Sequence, residues 1–249
     1  MKFTVLTLFP DMIREGLQTS IIGRAQANGL LKIDAVNIRD YSSDRHSHAD
    51  DYPYGGGAGM IMQADPIVKA VQAVRGERKV RLLYTTPQGK LFTQDTAKEL
   101  ALENELIILC GHYEGVDERA LILTGAENYS IGDYVLTGGE LPAMVMIDAV
   151  SRLVPGVLTN ASSAGGESLE TGLLEYPQYT RPEIYEGQKV PDVLLSGNHK
   201  MVELWRRRQS LLRTMKCRPD LFENAELTGE DRTFLEEQSS GENKDTGGK

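Results

Sequence analysis

Positive charge is in short supply in this chain: 27 Lys and Arg stand against 36 Asp and Glu, a net charge of −9 over 249 residues. Such a chain does not coat nucleic acid through its overall field, so any contact with a polyanion must come from a local basic surface. Cysteine is scarcer still. Cys110 and Cys217 are the only two, far apart and in no CxxC pair. That excludes a disulfide framework and, with no signal peptide legible, predicts a cytoplasmic protein. No apolar run reaches the roughly 18 residues of a membrane span, so no membrane partner is expected. Aromatic residues are only 6%, but apolar residues reach 40%, enough for a substantial core in one large domain or two. Familiar site signatures are missing as well. No GxGxxG follows the first strand and no GxxxxGK[ST] occurs, so the dinucleotide and P-loop readings lose their support. There is no HExxH, and His46, His48, Asp50 and Asp51 read as solvated loop residues rather than a metal set.

What is present is organised around residues 131–142 (IGDYVLTGGELP). Gly138 and Gly139 let another backbone or a ligand come close, and Pro142 suits the first turn of a helix. The helix that follows, 143–154 (AMVMIDAVSRLV), is apolar nearly all the way round. Such a helix is buried on more than one side, by the core or by a second subunit.

Taken in order, residues 2–8 read as a buried strand. A helix capped by Asp11 runs to about Asn28-Gly29, and residues 31–38 read as a second strand. Strand, helix, strand is the mark of a parallel sheet. A polar loop, 39–59, contains Gly55, Gly56, Gly57 and Gly59, which could cradle a phosphate or simply be flexible. Helices are predicted at 65–75 and 93–102, with strands at 79–85, 105–110 and 127–130. Three strand ends, at 84–87, 110–115 and 131–139, finish in turns rich in Gly, Pro and Tyr, and ligands of open α/β sheets sit outside such ends. Residues 160–166 (NASSAGG) form the clearest linker. Beyond it, Ser196 or Asn198 caps a helix from about His199 to Lys216. That helix and its end carry Lys200, Arg206, Arg207, Arg208, Arg213, Lys216 and Arg218 against the single acid Glu203, a local excess suited to a polyanion. Thr228 to Asp231 resembles a capping box for a last helix.

Five segments in series carry a resemblance: 54–60 (YGGGAGM), 86–89 (TPQG), 110–119 (CGHYEGVDER), 131–144 and 194–199 (LLSGNH). In this order they resemble the bacterial tRNA (guanine-N1)-methyltransferases, of the knotted SPOUT class of S-adenosylmethionine-dependent RNA methyltransferases. The resemblance implies an α/β fold whose parallel sheet ends in a C-terminal trefoil knot, followed by a small all-helical domain. It implies a knotted domain over 1–160, a flexible linker over 161–170, a helical tRNA-binding domain over 171–238 and a disordered tail over 239–249. It also implies a homodimer, with the methyl donor on one subunit and the linker acid and helical domain from the other, and an activity that responds to Mg²⁺. No octahedral oxygen cage is legible for that ion.

The site the resemblance implies is specific. S-adenosylmethionine would be held by Tyr84, Thr85, Thr86, Pro87, Gly111, Tyr113, Glu114, Ile131, Gly132, Asp133, Tyr134, Val135, Leu136, Gly138, Gly139 and Pro142. The tRNA would meet Gly55, Gly56, Gly57, Gly59, Ser168, Arg206, Arg207 and Arg208. Methylating N1 of guanine needs a base for the N1 proton and a cation or donor for charge on O6. Arg152 matches the family's charge-stabilising arginine. The family's base is an aspartate followed by serine; that place holds Glu167-Ser168 here, a longer acid, with Glu170 ranked second. On this reading Gly139→Val is expected to weaken donor binding with little unfolding. Neutralising Arg206, Arg207 and Arg208 is expected to flatten the salt dependence of tRNA binding by up to about three ions' worth.

Overall fold

The structure is a computed structural model that describes residues 1–158, 168–169 and 172–245, with side chains described as far as residue 238. The chain divides into two compact units, Met1–Ala161 and Ser162–Lys249. In the first unit the elements are β1 (Lys2–Thr7), α1 (Pro10–Leu17), α2 (Ser20–Ala27), β2 (Lys32–Asn37), β3 (Asp50–Asp51), β4 (Ile61–Met62), α3 (Ala64–Arg75), β5 (Arg81–Leu91), α4 (Gln94–Leu100), β6 (Glu105–Cys110), α5 (Glu118–Thr124), β7 (Glu127–Ser130) and α6 (Glu140–Ser151). Five strands form one sheet in the order β2-β1-β6-β5-β7, and each neighbouring pair is parallel.

The central strand β6 is apolar on both faces, as a covered parallel sheet requires. Along β6, Leu106, Ile108 and Cys110 pack into a cluster with Ile13, Ile22, Ala97 and Ile147 of α1, α2, α4 and α6. Ile107 and Leu109 turn to the other face and pack with Ile67, Val71 and Leu121 of α3 and α5. The period of two along the strand thus sorts the helices into two covering layers. Within the sheet the strand ends line up, since Tyr84 pairs with Leu109 and Thr85 with Cys110.

Several boundaries differ from the sequence reading. One helix was expected from Asp11; two form. Phe9 occupies the N-cap and Pro10 the first helical position, so Asp11 sits inside the first turn rather than capping it. Ser20 takes a left-handed φ of 55°, and the break brings the Gln18 carbonyl against Gly23, where a Cβ would not fit. β5 does not stop at residue 85. Thr85 and Lys90 both pair with Tyr129, and Leu91 pairs with Ser130, so residues 86–89 bulge out and the strand resumes. Gly89 permits this, because a Cβ there would fall on the backbone of Asn128 and Tyr129.

The second unit has a short hairpin, β8 (Ile184–Tyr185) and β9 (Gln188–Lys189), then α7 (Asp192–Leu195), α8 (His199–Cys217), α9 (Pro219–Glu223) and α10 (Gly229–Asp245). The Asn198 side chain accepts from the Met201 N–H at 3.3 Å and caps α8. The capping box forms with an aspartate: Thr228 Oγ1 accepts from the Asp231 N–H, and Asp231 Oδ2 accepts from the Thr228 N–H at 2.9 Å. Leu173, Leu211 and Phe234 make a small core of their own. α10 runs to Asp245, past residue 239 where order was expected to end; no proline interrupts it. Among the described residues no helix is long and apolar enough to cross a membrane.

Candidate active site

The carboxyl ends of β5, β6 and β7 open onto one cleft of about 380 Å³, within the size range of small-ligand sites. Three turns wall it: 84–88 after the regular part of β5, 111–116 after β6, and 130–139 leading into α6. Two bonds stitch the walls. The Gly139 N–H donates to the Gly111 carbonyl at 2.8 Å, and Thr85 Oγ1 lies 3.2 Å from the Gly139 carbonyl and 3.3 Å from that of Leu109. Gly139 is glycine for a structural reason. A Cβ there would lie 2.8 Å from both the Cys110 Cα and the Gly111 nitrogen, and would overlap Thr85 Oγ1. Gly139→Val therefore pushes the strand ends apart, which corrects the expectation that it would leave the fold intact.

Of the residues expected around the donor, Tyr84, Thr85, Thr86, Pro87, Gly111, Tyr113, Glu114, Ile131, Gly132, Tyr134, Val135, Leu136, Gly138, Gly139 and Pro142 line the cleft. Asp133 is exposed and outside the lining. His112, Gly115 and Thr137, inside the expected strand-end turns, line it too, and the sequence reading passed over Gln88, Val116, Glu118, Leu121, Tyr129 and Ser130. Gln88, Val116 and Glu118 lay inside the recognised segments and were legible there; Leu121 and Tyr129 required the register of α5 and β7. Burial pushes the Tyr84 phenol up, and the charge of Glu118 pushes the same way against a hydrogen bond from Thr86. Burial also drives the Cys110 thiol well up, with Glu140 adding to it. Glu114 and Glu118 give the rim an acidic side suited to a cationic ligand.

The glycine run sits between β3 and β4, which pair antiparallel. Gly55, Gly56, Gly57 and Gly59 all have positive φ, between 77° and 139°, a region that side chains rarely enter. This loop is tied to the cleft's 111–116 wall. The Glu114 N–H donates to the Met60 carbonyl at 3.0 Å and the Met62 N–H to the Gly115 carbonyl at 2.9 Å. A Cβ on Gly59 would lie 2.6 Å from Glu114 Oε1, so the loop lies directly against that carboxylate.

Arg152 is not in the cleft lining. It caps the far end of α6, its N–H bonded to the Asp148 carbonyl at 3.1 Å. Twelve helical residues place it about 18 Å along the axis from the Gly139 end. Glu167 and Glu170 lie outside the described residues. Ser168 Oγ accepts from the Glu175 N–H at 2.9 Å, and the Leu174 N–H donates to Thr214 Oγ1 on α8 at 2.8 Å. In the second unit Arg207 is committed to Asp231 at 2.8 Å and to the Glu226 carbonyl. That pairing holds the Asp231 carboxyl below its usual range. The Arg208 guanidinium lies 4.6 Å over the Phe234 ring. Arg206 is exposed, 4.8 Å over the Tyr176 ring. Arg207 and Arg208 thus join α8 to α10, while Lys200, Arg206 and Lys216 face solvent.

Comparison with known proteins decides the lineage. Residues 1–224 match the family model described as tRNA (Guanine-1)-methyltransferase TrmD. The chain belongs to this family. It is 59% identical over 225 residues to the tRNA (guanine-N(1)-)-methyltransferase of Lachnospira eligens, covering 90% of this chain and 95% of the relative. It is 56% identical over 235 residues to that of Caldicellulosiruptor saccharolyticus, covering 94% and 96%. With that of Lachnoclostridium phytofermentans it shares 51% over 270 residues, covering 97% and 98%. The family match runs from β1 through α9 of the second unit.

Proposed function

We propose that the chain transfers a methyl group from S-adenosylmethionine to N1 of the guanosine immediately 3′ of the anticodon in tRNA, in the cytoplasm, as a homodimer with a shared active site. The observation that carries the reading is the glycine-walled cleft at three parallel strand ends in a member of this family. The residues present suit the donor: backbone groups of the 84–88, 111–116 and 130–139 walls to read an adenine edge, and acidic groups at the rim for its positive charges. When bound, the donor supplies an already activated methyl group on a sulfonium. The reading includes a trefoil knot, formed where the chain after β7 passes through the turn after β6 to begin α6.

The chain's own residues supply the rest. The loop at 55–59 closes over the guanine, with Glu114 beneath it. Glu167, at the end of the linker, takes the N1 proton. Arg152 meets the charge that grows on O6. An arginine a helix length from its own cleft serves a second copy's cleft more readily than its own. An apolar face is available to bring that copy in: Met12, Leu141 and Val145 are 40%, 44% and 49% exposed on α1 and α6. Among the described residues no group of three His, Cys, Asp or Glu gathers to hold a metal, and no step is assigned to Mg²⁺.

The test is methyl transfer to a tRNA transcript carrying guanosine 3′ of the anticodon, beside one carrying adenosine there. The reading expects N1-methylguanosine at that nucleotide in the first and none in the second; methylation elsewhere overturns it. For tRNA binding, Arg206→Ala is expected to lower the salt slope by about one ion with donor affinity kept. Arg207→Ala is expected to lower Tm instead, through loss of the Asp231 pair. Salt titrations and thermal melts read the two apart.

A further inference from the structure

The wall after β6 contains an imidazole with a conspicuous vacancy in its bonding. His112 Nδ1 is buried and has no hydrogen-bond partner. Its ring is held between Phe9 and Tyr113, with centroids 4.9 Å from each, and it lines the cleft. Facing it across Gly138 is Glu140, the first residue of α6 and only 3% exposed. Glu140 Oε1 accepts from Thr7 Oγ1 at 2.6 Å, and Thr7 Oγ1 in turn accepts from the Phe9 N–H at 2.9 Å. The two groups converge on one point: a Cβ on Gly138 would lie 2.5 Å from Glu140 Oε2 and 2.7 Å from His112 Nδ1. No bond joins them in this structure. A buried acceptor and a buried nitrogen that can be its donor, on the two walls of one cleft, are a bond waiting for the walls to approach.

We infer that His112 is a positioning residue, whose Nδ1–H bonds to Glu140 Oε2 when the methyl donor bridges the two walls. The inference rests on the reading of the cleft as the S-adenosylmethionine site. A ligand held by backbone groups of both the 111–116 and 130–139 turns draws those turns together. The bond then fixes the δ-protonated tautomer, locks the ring against Phe9 and holds Tyr113, whose φ of 58° is left-handed, in its place on the rim. Thr7 anchors the carboxylate from β1, so the approach is made by the His112 wall. Glu140 is already near enough in charge to raise the Cys110 thiol on the same strand end.

The experiment is a double-mutant cycle on donor binding by calorimetry, using the full chain. His112→Phe keeps a ring between Phe9 and Tyr113 and removes the nitrogen; Glu140→Gln keeps the shape and removes the charge. Each is expected to weaken S-adenosylmethionine binding roughly tenfold, the lower range for a hydrogen bond to a charged group. The double variant is expected to be no weaker than the poorer single, because both changes remove one bond. Affinity for tRNA should stay at the wild-type level. Unchanged affinity in His112→Phe, or losses that multiply to about a hundredfold in the double variant, overturns the inference. Should a variant fail to fold, the wild-type protein decides. With ¹⁵N-labelled histidine, saturating S-adenosylmethionine should turn His112 to the Nδ1–H tautomer with a slowly exchanging proton. An unchanged tautomer overturns the inference. Failure of the wild-type chain to bind S-adenosylmethionine would instead overturn the reading of the cleft itself.

Discussion

Glu167→Gln is expected to slow single-turnover methyl transfer by about 10²- to 10⁴-fold, the range that a positioned general base contributes, with tRNA and donor affinities close to wild type. Glutamine keeps the size and hydrogen bonding of the side chain and removes its basicity. The interaction lost is therefore made only in the transition state, and the rate falls without a matching loss of binding. Ser168, the residue after Glu167, is bonded to the Glu175 N–H, and Leu174 to Thr214, within the second unit. A tRNA bound by that unit would then carry the acid with it. Glu167→Asp should retain substantial activity, since it keeps the carboxylate that accepts the proton. Rapid-quench measurements on Glu167→Gln and Glu170→Gln separate the two acids: near wild-type transfer by the first and slow transfer by the second would make Glu170 the base.

The strand ends that build the cleft were legible as turns rich in Gly, Pro and Tyr, and the end of β6 also because it follows a continuous apolar run, the mark of a buried parallel strand. Cys110 to Glu114 could be placed at the sheet's carboxyl edge by that run, whereas Ile131 to Gly139 follows residues 127–130 (ENYS) and was placed by its turn residues. The extension of β5 to Leu91 was not legible. It depends on Tyr129 and Ser130, partners some forty residues away, and a local reading stops where proline and glycine interrupt the pattern. The break between α1 and α2 was hidden for a similar reason: Ser20 carries no left-handed signal, and the tight contact of Gly23 with the Gln18 carbonyl is a property of the folded turn. The basic helix was read correctly as a helix and too generously as a surface. Charge counting cannot tell an arginine facing solvent from Arg207, which is spent on Asp231, or Arg208, which lies over Phe234. Gly139 makes the same point for the cleft. Its sequence context marks close approach, but whether backbone or ligand approaches is a matter of three-dimensional packing, and here it is backbone.

Arg152→Ala is expected to lower the transfer rate about 10²- to 10³-fold, as loss of one preorganised donor to a developing oxyanion does, and the loss should be repaired in trans. Arg152 ends α6 while the cleft lies at its start, so the proposed homodimer assigns each arginine to the cleft of the other protomer. A second variant makes this testable. Leu136 lines the cleft and is 37% exposed, and Leu136→Trp fills the donor's space from its rim without entering the core. Homodimers of either variant should be slow. In a mixed dimer, the protomer with Arg152→Ala keeps an open cleft, and its Leu136→Trp partner brings an intact Arg152 to it. One of the two sites is then complete, and co-expressed, doubly tagged and purified mixed dimers should recover about half the wild-type rate per dimer, the share expected when two sites work independently. If arginine and cleft act within one chain, neither protomer of the mixed dimer has both, and the rate stays at the level of the slow homodimers. That result would return Arg152 to its own subunit and remove the main geometric reason for a shared site.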